Sequence, residues 1–356
     1  MPHVRLGSRF VDASGPAYLI AEVGVNHEGS LEKAKALVDA AHRGGADAVK
    51  FQTYKADTLA MRDSPAYWDT SKEPTASQHE LFAKYDALGA DDYADLARYC
   101  EAVGIDFVST PFDLQAVDDL APLVPYFKIA SADITNIPLI RRVAATGKPV
   151  VLSTGAASLD EISRAVDWVE AAGGGDVVLL QCVLSYPTAD DGACLRVISD
   201  LMRHFPDHVI GLSDHTVPDG SGTPLVAAYA LGAVVIEKHF TLDRSLPGND
   251  HYHALDEQWL ASSVADLKRA HRLMQGAASK EPTADEAAAR VFARRSIVAR
   301  TTIPAGTVLT ENMLICKRPG TGIGPEHWDD VVGATTTSDL EEDHALTWDA
   351  LGRSGT

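Results

Sequence analysis

Two apolar runs in the second half of the chain end in ionisable side chains that could do chemistry. The run VIGLSDHT (209–216) contains His215, and the run GAVVIEKHFTLD (232–243) contains Glu237 and His239. Runs of β-branched and aliphatic residues predict strands that are buried on both faces, as in a parallel sheet. Because such strands end at the same edge, His215 and His239 can converge on one divalent ion, and imidazole nitrogen suits Mn, Fe and Zn. The pair predicts a metal site, with a structural role for both histidines as the alternative.

Two lysines interrupt other apolar runs, Lys50 in ADAVKFQTY and Lys128 in PYFKIASADITN. A charged group is costly to bury without a partner, so these lysines favour a bound anion. Several cations and donors together suit a phosphate group, and the hydroxyls available beside the lysines are Thr110, Ser131, Ser153 and Ser213. Two alternatives remain open. Lys50 could extend to the rim of the fold, or either lysine could form a Schiff base, as in class I aldolases.

These residues need a framework that brings many strand ends together, and the order of the runs provides one. Eight apolar runs alternate with helical patterns over about 250 residues, the size typical of a (β/α)8 barrel. In a barrel the functional residues lie at the C-terminal strand ends, where polar residues follow each run here. The predicted fold class is therefore α/β, a (β/α)8 TIM barrel. Besides the two runs above, the strands are predicted in YLIAEV, ADAVKFQTY, IDFVSTPFD, PYFKIASADITN, KPVVLSTGAAS and DVVLLQCVLSYPT.

Changes in composition predict the domain boundaries. Residues 1–276 form the barrel, residues 277–294 a linker with a short helix, and residues 295–356 a small β-rich module with a C-terminal tail. In the barrel, Ser30 is the predicted N-cap of the first helix, and Gly44–Gly45 end it. The segment 54–74 is rich in Asp, Thr, Ser and Pro and is longer than an ordinary loop, which predicts a lid or a binding loop.

Composition excludes several classes of partner. The chain has 356 residues, of which 46% are hydrophobic, and a formal net charge of −19. That charge argues against nucleic acid and anionic membranes as partners. No uncharged apolar run reaches membrane-spanning length, and the N-terminal residues lack a signal pattern. The four cysteines show no disulfide or zinc-ribbon spacing, which favours a reducing, cytoplasmic location.

The successive runs resemble, in order, the motifs of the sialic acid synthase (N-acetylneuraminate synthase) family. The resemblance extends from about Ala17 to Gly333 and is carried by IAEVGVNHEGS, ADAVKFQTYKADTL, FVSTPFD, FKIASADITN, KPVVLSTGAAS, CVLSYPT, IGLSDHT, VIEKHFTLD and KRPGTGI. It implies a barrel followed by an antifreeze-like (SAF) domain, in a domain-swapped homodimer that needs Mn²⁺ or Mg²⁺. It also implies condensation of phosphoenolpyruvate with an open-chain, N-acetylmannosamine-like aldose, giving a 2-keto-3-deoxy sugar acid and phosphate.

The resemblance further implies individual roles. Phosphoenolpyruvate would be bound by Lys50, Thr110, Lys128, Ser131, Ser153 and Ser213, and the metal by His215 and His239. The sugar would be bound by Gln52, Tyr186, Glu237 and Asp250, and by Arg318, reaching from the small domain into the barrel of the other subunit. Glu22 and Asp133 would lie beside the water held by the metal. The implied catalytic residues are Glu22, Lys50, Asp133, His215, Glu237 and His239.

The chain departs from the family's usual residues in two segments, one of which in the family contains the Asn that contacts phosphoenolpyruvate. It reads QCVLSYP where N-acetylneuraminate synthases often read HCTNIYP, so Leu184 replaces an Asn and Gln181 a His. PGNDH replaces PGPDH, and HALD replaces the common S-L-D/E. In this loop, a turn role is the alternative for Asp250, and we expect structural roles for His251 and His253.

These departures leave the acceptor open. A legionaminate, pseudaminate or secondary-metabolite sugar aldehyde is the alternative to an N-acetylmannosamine-like sugar. Two further hypotheses concern the class of protein. One is a Schiff-base aldolase, and the other is a non-catalytic sugar-binding protein, against which the histidines and lysines argue.

Overall fold

The computed structural model describes residues 2–68, 70–71, 73–248 and 250–353. The chain divides into two compact units, Met1–Gln275 and Gly276–Thr356. The predicted boundaries at residues 276 and 295 stay predictions. Residues 1 and 354–356 of the predicted domains, and Asn249 of the PGNDH loop, lie outside the described residues.

A short antiparallel hairpin, which the sequence analysis did not predict, precedes the barrel. Its strands are β1 (His3–Leu6) and β2 (Arg9–Asp12). Their alternate residues Val4, Leu6 and Val11 are buried in the core of the first unit. Arg9 pairs with Asp47, which immediately precedes a barrel strand. The hairpin therefore covers the N-terminal ends of the barrel strands.

Eight parallel strands with intervening helices form the predicted barrel, which is confirmed. In space the strands follow the order β5-β4-β3-β10-β9-β8-β7-β6, and β5 also lies beside β6, so the sheet is nearly closed. They are β3 (Tyr18–Gly24), β4 (Ala48–Thr53), β5 (Asp106–Pro111), β6 (Phe127–Ile129), β7 (Val150–Ser153), β8 (Val177–Cys182), β9 (Val209–Asp214) and β10 (Val235–His239).

Strand register aligns the chemically active residues. Glu22 lies opposite Lys50, and His239 lies opposite Glu22 on the other side of β3. Glu237 lies opposite Ser213 on β9. Because successive side chains of a strand point to opposite faces, these inward residues alternate with apolar residues or with Lys238, which point outward.

Helices cover the outside of the sheet. In the first, the Ser30 side chain accepts a hydrogen bond from the Lys33 amide, and Gly45 follows with φ of +85°, which confirms the predicted start and stop. The helices are α1 (Leu31–Arg43), α2 (Ala56–Leu59), α3 (Gln78–Tyr85), α4 (Ala90–Val103), α5 (Leu114–Leu120), α6 (Ile137–Ala144), α7 (Leu159–Ala171), α8 (Val197–His204), α9 (Thr223–Ala230) and α10 (Glu257–Leu273). No helix among the described residues has the length and apolar composition to cross a membrane.

The second unit has its own small core. It begins with α11 (Ala287–Phe292), which follows a 3-10 turn over Ala284–Glu286. The strands β11 (Ser296–Ala299) and β12 (Leu314–Lys317) pair antiparallel, and α12 (Trp328–Val331) follows them. Apolar residues from Ile297 to Leu351 form the core, which agrees with the predicted small β-rich module.

Candidate active site

A cavity of about 170 Å³ lies at the C-terminal ends of the barrel strands. It brings together residues from the first strand of the barrel to the loop after the last. Of the predicted site residues, the following line it: Glu22, Lys50, Gln52, Thr110, Lys128, Ser131, Ser153, Tyr186, Ser213, His215, Glu237, His239 and Asp250.

Four buried charges form the floor of the cavity. Lys50 pairs with Glu22, and its Nζ lies 3.9 Å from Glu237. Lys128 Nζ lies 3.7 Å from the other Glu237 oxygen. The two lysines therefore already have carboxylate partners, so their burial does not by itself require a bound anion. The four groups are termed the charge quartet below.

The quartet shifts the pKa values of its members. Burial raises the pKa of Glu22 to about 7, against the opposing charge of Lys50. Burial also raises the pKa of Glu237, but Lys128 and Lys50 outweigh it, so this pKa lies below its ordinary value. Burial lowers the pKa of Lys128. The two carboxyl groups therefore differ, since Glu22 can exchange a proton near neutral pH while Glu237 stays ionised.

Hydroxyl groups surround the quartet. Thr110 accepts a hydrogen bond from Lys50 Nζ at 3.0 Å, and Ser213 donates one to Glu237 at 2.9 Å. Ser131 accepts one from the Gly155 amide at 2.9 Å. The Ser153 hydroxyl is buried and has no hydrogen-bond partner among the described residues. A buried polar atom of this kind is suited to a ligand.

Imidazoles form the adjoining part of the cavity. The ring centroids of His215 and His239 are 5.4 Å apart, and Tyr186 stacks 4.1 Å from His215. His215 Nδ1 lies 2.8 Å from the Val183 carbonyl oxygen, so its Nε2 is the atom left for a ligand. His239 Nδ1 is buried without a hydrogen-bond partner among the described residues.

A metal ion fits this donor set. His239, Asp250 and His253 each offer a ligand atom, and these three atoms lie within 4.8 Å of one another. Imidazole nitrogens with a carboxylate oxygen are ligands that divalent transition metals accept. Of the two predicted ligands, His239 belongs to this group together with two residues of the loop after β10, and His215 is not part of it.

Aromatic side chains that the sequence analysis did not single out line another side of the cavity. The Tyr54 ring packs 5.4 Å from Phe82 and 6.0 Å from Phe112, and Tyr67 packs 5.5 Å from Trp68. We term these five residues and Tyr85 the aromatic wall. Tyr67 and Trp68 come from the segment 54–74, for which a lid or binding loop was predicted.

One predicted site residue of the first unit, Asp133, does not line the cavity. Asp133 lies in a 3-10 turn after β6, where it accepts a hydrogen bond from Asn136 at 3.0 Å. Arg318 directly follows β12 in the second unit. Among the departures from the family pattern, Leu184 and Gln181 are likewise absent from the residues that line the cavity.

Comparison with known proteins identifies the family. The NeuB family profile matches residues 37–279, and the SAF domain profile matches residues 294–352. The chain belongs to the NeuB family. An N,N'-diacetyllegionaminic acid synthase of Legionella pneumophila is 37% identical over 346 residues, covering 95% of this chain and 96% of that protein.

Two further NeuB-family relatives extend over most of the chain. An uncharacterized protein of Methanocaldococcus jannaschii is 39% identical over 352 residues, which is 99% of both chains. The crystal structure of an N-acetylneuraminic acid (sialic acid) synthetase from Leptospira borgpetersenii serovar Hardjo-bovis, in complex with citrate, superimposes with a TM-score of 0.71. It is 33% identical and covers 80% of this chain and 93% of that one.

Proposed function

We propose that this NeuB-family protein condenses phosphoenolpyruvate with an open-chain, N-acylated aldose to give a 2-keto-3-deoxy sugar acid and inorganic phosphate. The observation that carries the proposal is one cavity lined by two buried lysines, several hydroxyl side chains and imidazoles that could bind a metal ion. The lysines and hydroxyls suit the phosphate and carboxylate of phosphoenolpyruvate. The imidazoles suit an ion beside the aldehyde.

The proposed reaction forms a carbon–carbon bond and exchanges the phosphate oxygen on carbon 2 for a water oxygen, and the two protons of the water end on the former aldehyde oxygen and on the phosphate. Carbon 3 of phosphoenolpyruvate attacks the aldehyde carbon, water adds at carbon 2, and the bond from that carbon to the phosphate oxygen breaks. His215 and His239 would hold a divalent ion, Mn²⁺ or Mg²⁺ in the proposal, which would supply Lewis-acid activation of the aldehyde. Lys50 and Lys128 orient the phosphate and offset the charge that develops on it as it leaves.

The two carboxyl groups of the charge quartet have different roles in this proposal. Glu22 transfers a proton to or from the added water, which its pKa of about 7 supports. Glu237 stays ionised and, with Gln52, Tyr186 and Asp250, binds hydroxyl groups of the sugar. Asp133, whose pKa burial raises, is proposed to act beside the water held by the metal, while one of its oxygens accepts a hydrogen bond from Asn136.

The aromatic wall supports an acceptor with apolar substituents. Aromatic faces pack well against methyl groups such as those of N-acetyl substituents. This favours an acceptor with two acetamido groups, which the name of the Legionella pneumophila relative implies, over one with a single acetamido group.

The proposal also covers features of assembly and location. Arg318 binds the sugar of the other subunit in a domain-swapped homodimer, and its loss would impair sugar use more than phosphoenolpyruvate binding. A barrel of residues 1–276, a linker of 277–294 and a SAF domain of 295–356 complete the arrangement. The four free cysteines support a cytoplasmic location.

Phosphate release tests the proposed reaction. The full-length protein is incubated with Mn²⁺, phosphoenolpyruvate and a panel of N-acylated aldoses, with single- and double-acetamido sugars in parallel. We expect sugar-dependent phosphate release that His239→Ala and His215→Ala abolish without unfolding the protein. No release with any member of the panel would refute the condensation, and turnover retained in both variants would refute the metal role of the histidines.

A Schiff-base aldolase is the second candidate, because burial lowers the pKa of Lys128 and thereby favours a nucleophilic amine. Borohydride reduction in the presence of pyruvate, followed by mass spectrometry, distinguishes the two. A pyruvyl adduct on Lys50 or Lys128 would favour the aldolase. We expect no adduct, since both lysines are paired with carboxylates of the charge quartet.

A further inference from the structure

We propose that His253 is an additional ligand of the metal, beside His239 and Asp250, and that it shifts this site toward nitrogen-preferring ions such as Co²⁺ and Zn²⁺. The inference deepens the proposed function, because it concerns the same ion. It differs from the expectation that His253 has only a structural role. It rests on position, burial and donor chemistry.

The position of His253 is the first observation. Its ring centroid lies 4.6 Å from that of His239, closer than the 5.4 Å between His239 and His215. One atom each from His239, Asp250 and His253 lies within a common span of 4.8 Å, and His239 Nδ1 is 3.8 Å from an Asp250 oxygen. Metal–nitrogen bonds of about 2.0–2.1 Å require only small side-chain adjustments to close this span.

Burial is the second observation. His253 is fully buried, and His239 is only 6% exposed. Burying the His239 ring beside the Asp250 carboxylate is costly, and a cation shared by the two would offset that cost. The buried Nδ1 of His239, without a hydrogen-bond partner among the described residues, lies on the side that faces Asp250.

The combined donor set has a chemical consequence. Two imidazoles, of His239 and His253, and the carboxylate of Asp250 form the ligand group, and the His215 ring lies beside it with its centroid 5.4 Å from that of His239. Mg²⁺ prefers oxygen ligands, whereas imidazole-rich sites favour Co²⁺, Zn²⁺ and Fe²⁺. Each added nitrogen should therefore increase the preference for these ions over Mg²⁺.

His251 provides a matched control from the same loop. It is also buried, but its Nδ1 lies 2.8 Å from the Thr241 hydroxyl and its Nε2 lies 3.9 Å from Glu28. It is not part of the ligand group formed by His239, Asp250 and His253. Replacing each histidine by Phe keeps an aromatic ring and removes both nitrogens.

Metal binding is measured on the full-length protein, freed of metal by chelation and then titrated with Co²⁺ or Mg²⁺. Calorimetry gives the affinities, and the visible absorption of bound Co²⁺ reports its ligands. We expect His253→Phe to weaken Co²⁺ binding by about 10- to 100-fold and to change the Co²⁺ spectrum, while Mg²⁺ affinity changes less. His251→Phe should stay within about threefold of the wild type, a margin set by its lack of metal contact. Circular dichroism verifies that each variant is folded.

Two results would overturn the inference. Wild-type affinity and an unchanged Co²⁺ spectrum in His253→Phe would make His253 a packing residue against Tyr186 and Tyr252, whose rings are 5.8 Å and 5.1 Å away. Absence of Co²⁺ binding by the wild-type protein would remove the site altogether. If His253→Phe does not fold, His253→Asn replaces it in the same titration. Failure of phosphate release leaves this test intact, because metal binding is measured without substrate.

Discussion

Replacing Lys238 with Met should destabilise the barrel by about 3–5 kcal/mol, the usual cost of leaving a buried charge without its partner. Lys238 Nζ lies 2.6 Å from Asp214, and the two side chains are 3% and 4% exposed. Lys238 also donates to the Thr216 carbonyl, and Asp214 accepts from the Thr216 hydroxyl at 2.9 Å. This pair lies behind the residues of β9 and β10 that line the cavity, so it affects folding and the position of the site together.

The expected loss of stability depends more on the solvent exposure of the ion pair than on the distance between its charges. Two unit charges 2.6 Å apart attract by about 1.6 kcal/mol in water and by about 6 kcal/mol at an effective dielectric constant near 20. The pair Arg203–Asp200 is a matched control, because its distance is also 2.6 Å but its side chains are 73% and 35% exposed. Arg203→Met should therefore cost less than about 1 kcal/mol.

Urea unfolding, followed by circular dichroism and by tryptophan fluorescence, compares the two variants. In addition, Asp214→Asn combined with Lys238→Met should recover part of the loss, because no unpaired charge then remains buried. Equal losses for Lys238→Met and Arg203→Met, or a double variant as unstable as the sum of its single variants, would refute the reasoning from burial.

Three further predictions use other parts of the barrel. Lys128→Met should lower kcat/KM for phosphoenolpyruvate by about 10- to 150-fold, the worth of a hydrogen bond to a charged group, and an unchanged value would remove Lys128 from the proposed anion site. Burial lowers the pKa of His27 from 6.5 to about 4, so the unfolded state binds more protons between these values. The contribution of the neutral His27 side chain to the free energy of unfolding is fully present above pH 6.5 and is lost as the pH falls to about 4. Urea unfolding gives the difference in unfolding free energy between pH 7 and pH 4, which should be about 3 kcal/mol smaller in His27→Gln than in the wild type. An equal difference in both proteins would contradict this prediction. Gly211→Ala should cost at least about 1–3 kcal/mol, because a Cβ there would overlap the Val235 carbonyl and Leu180. An unchanged unfolding midpoint would contradict that prediction.

Much of the barrel and most of its lining could be predicted from the sequence because both depend on local order. Strands such as β4 and β10 are apolar runs, and the alternation of side chains places Lys50 and Glu237 on the inner face. Parallel strands end at one edge, which brings their polar residues together whatever the details of the helices. The two-residue turn between the alternating runs HVRL and RFVD also carried a signal for the N-terminal hairpin, and that signal was overlooked.

Other features depend on loop paths that no periodicity fixes. His253 belongs to the loop after β10 and lies near His239, and Asp133 lies in a 3-10 turn where it accepts a hydrogen bond from Asn136. The aromatic wall combines the segment 54–74, α3 and Phe112 after β5, which long-range packing brings together. The partners of the buried lysines were also hard to predict. The cost of burying a lysine predicts a nearby negative charge, but it does not say whether that charge is a bound anion or a carboxylate of the protein, here Glu22 and Glu237.

The N-terminal hairpin has a practical consequence for handling the protein. Its Arg9 pairs with Asp47 beneath β4, at the opposite end of the strands from the cavity. A purification tag or a surface linker joined before His3 would therefore project from the closed face of the barrel. Immobilisation through that linker should leave the mouth accessible to small molecules in flow-based binding assays.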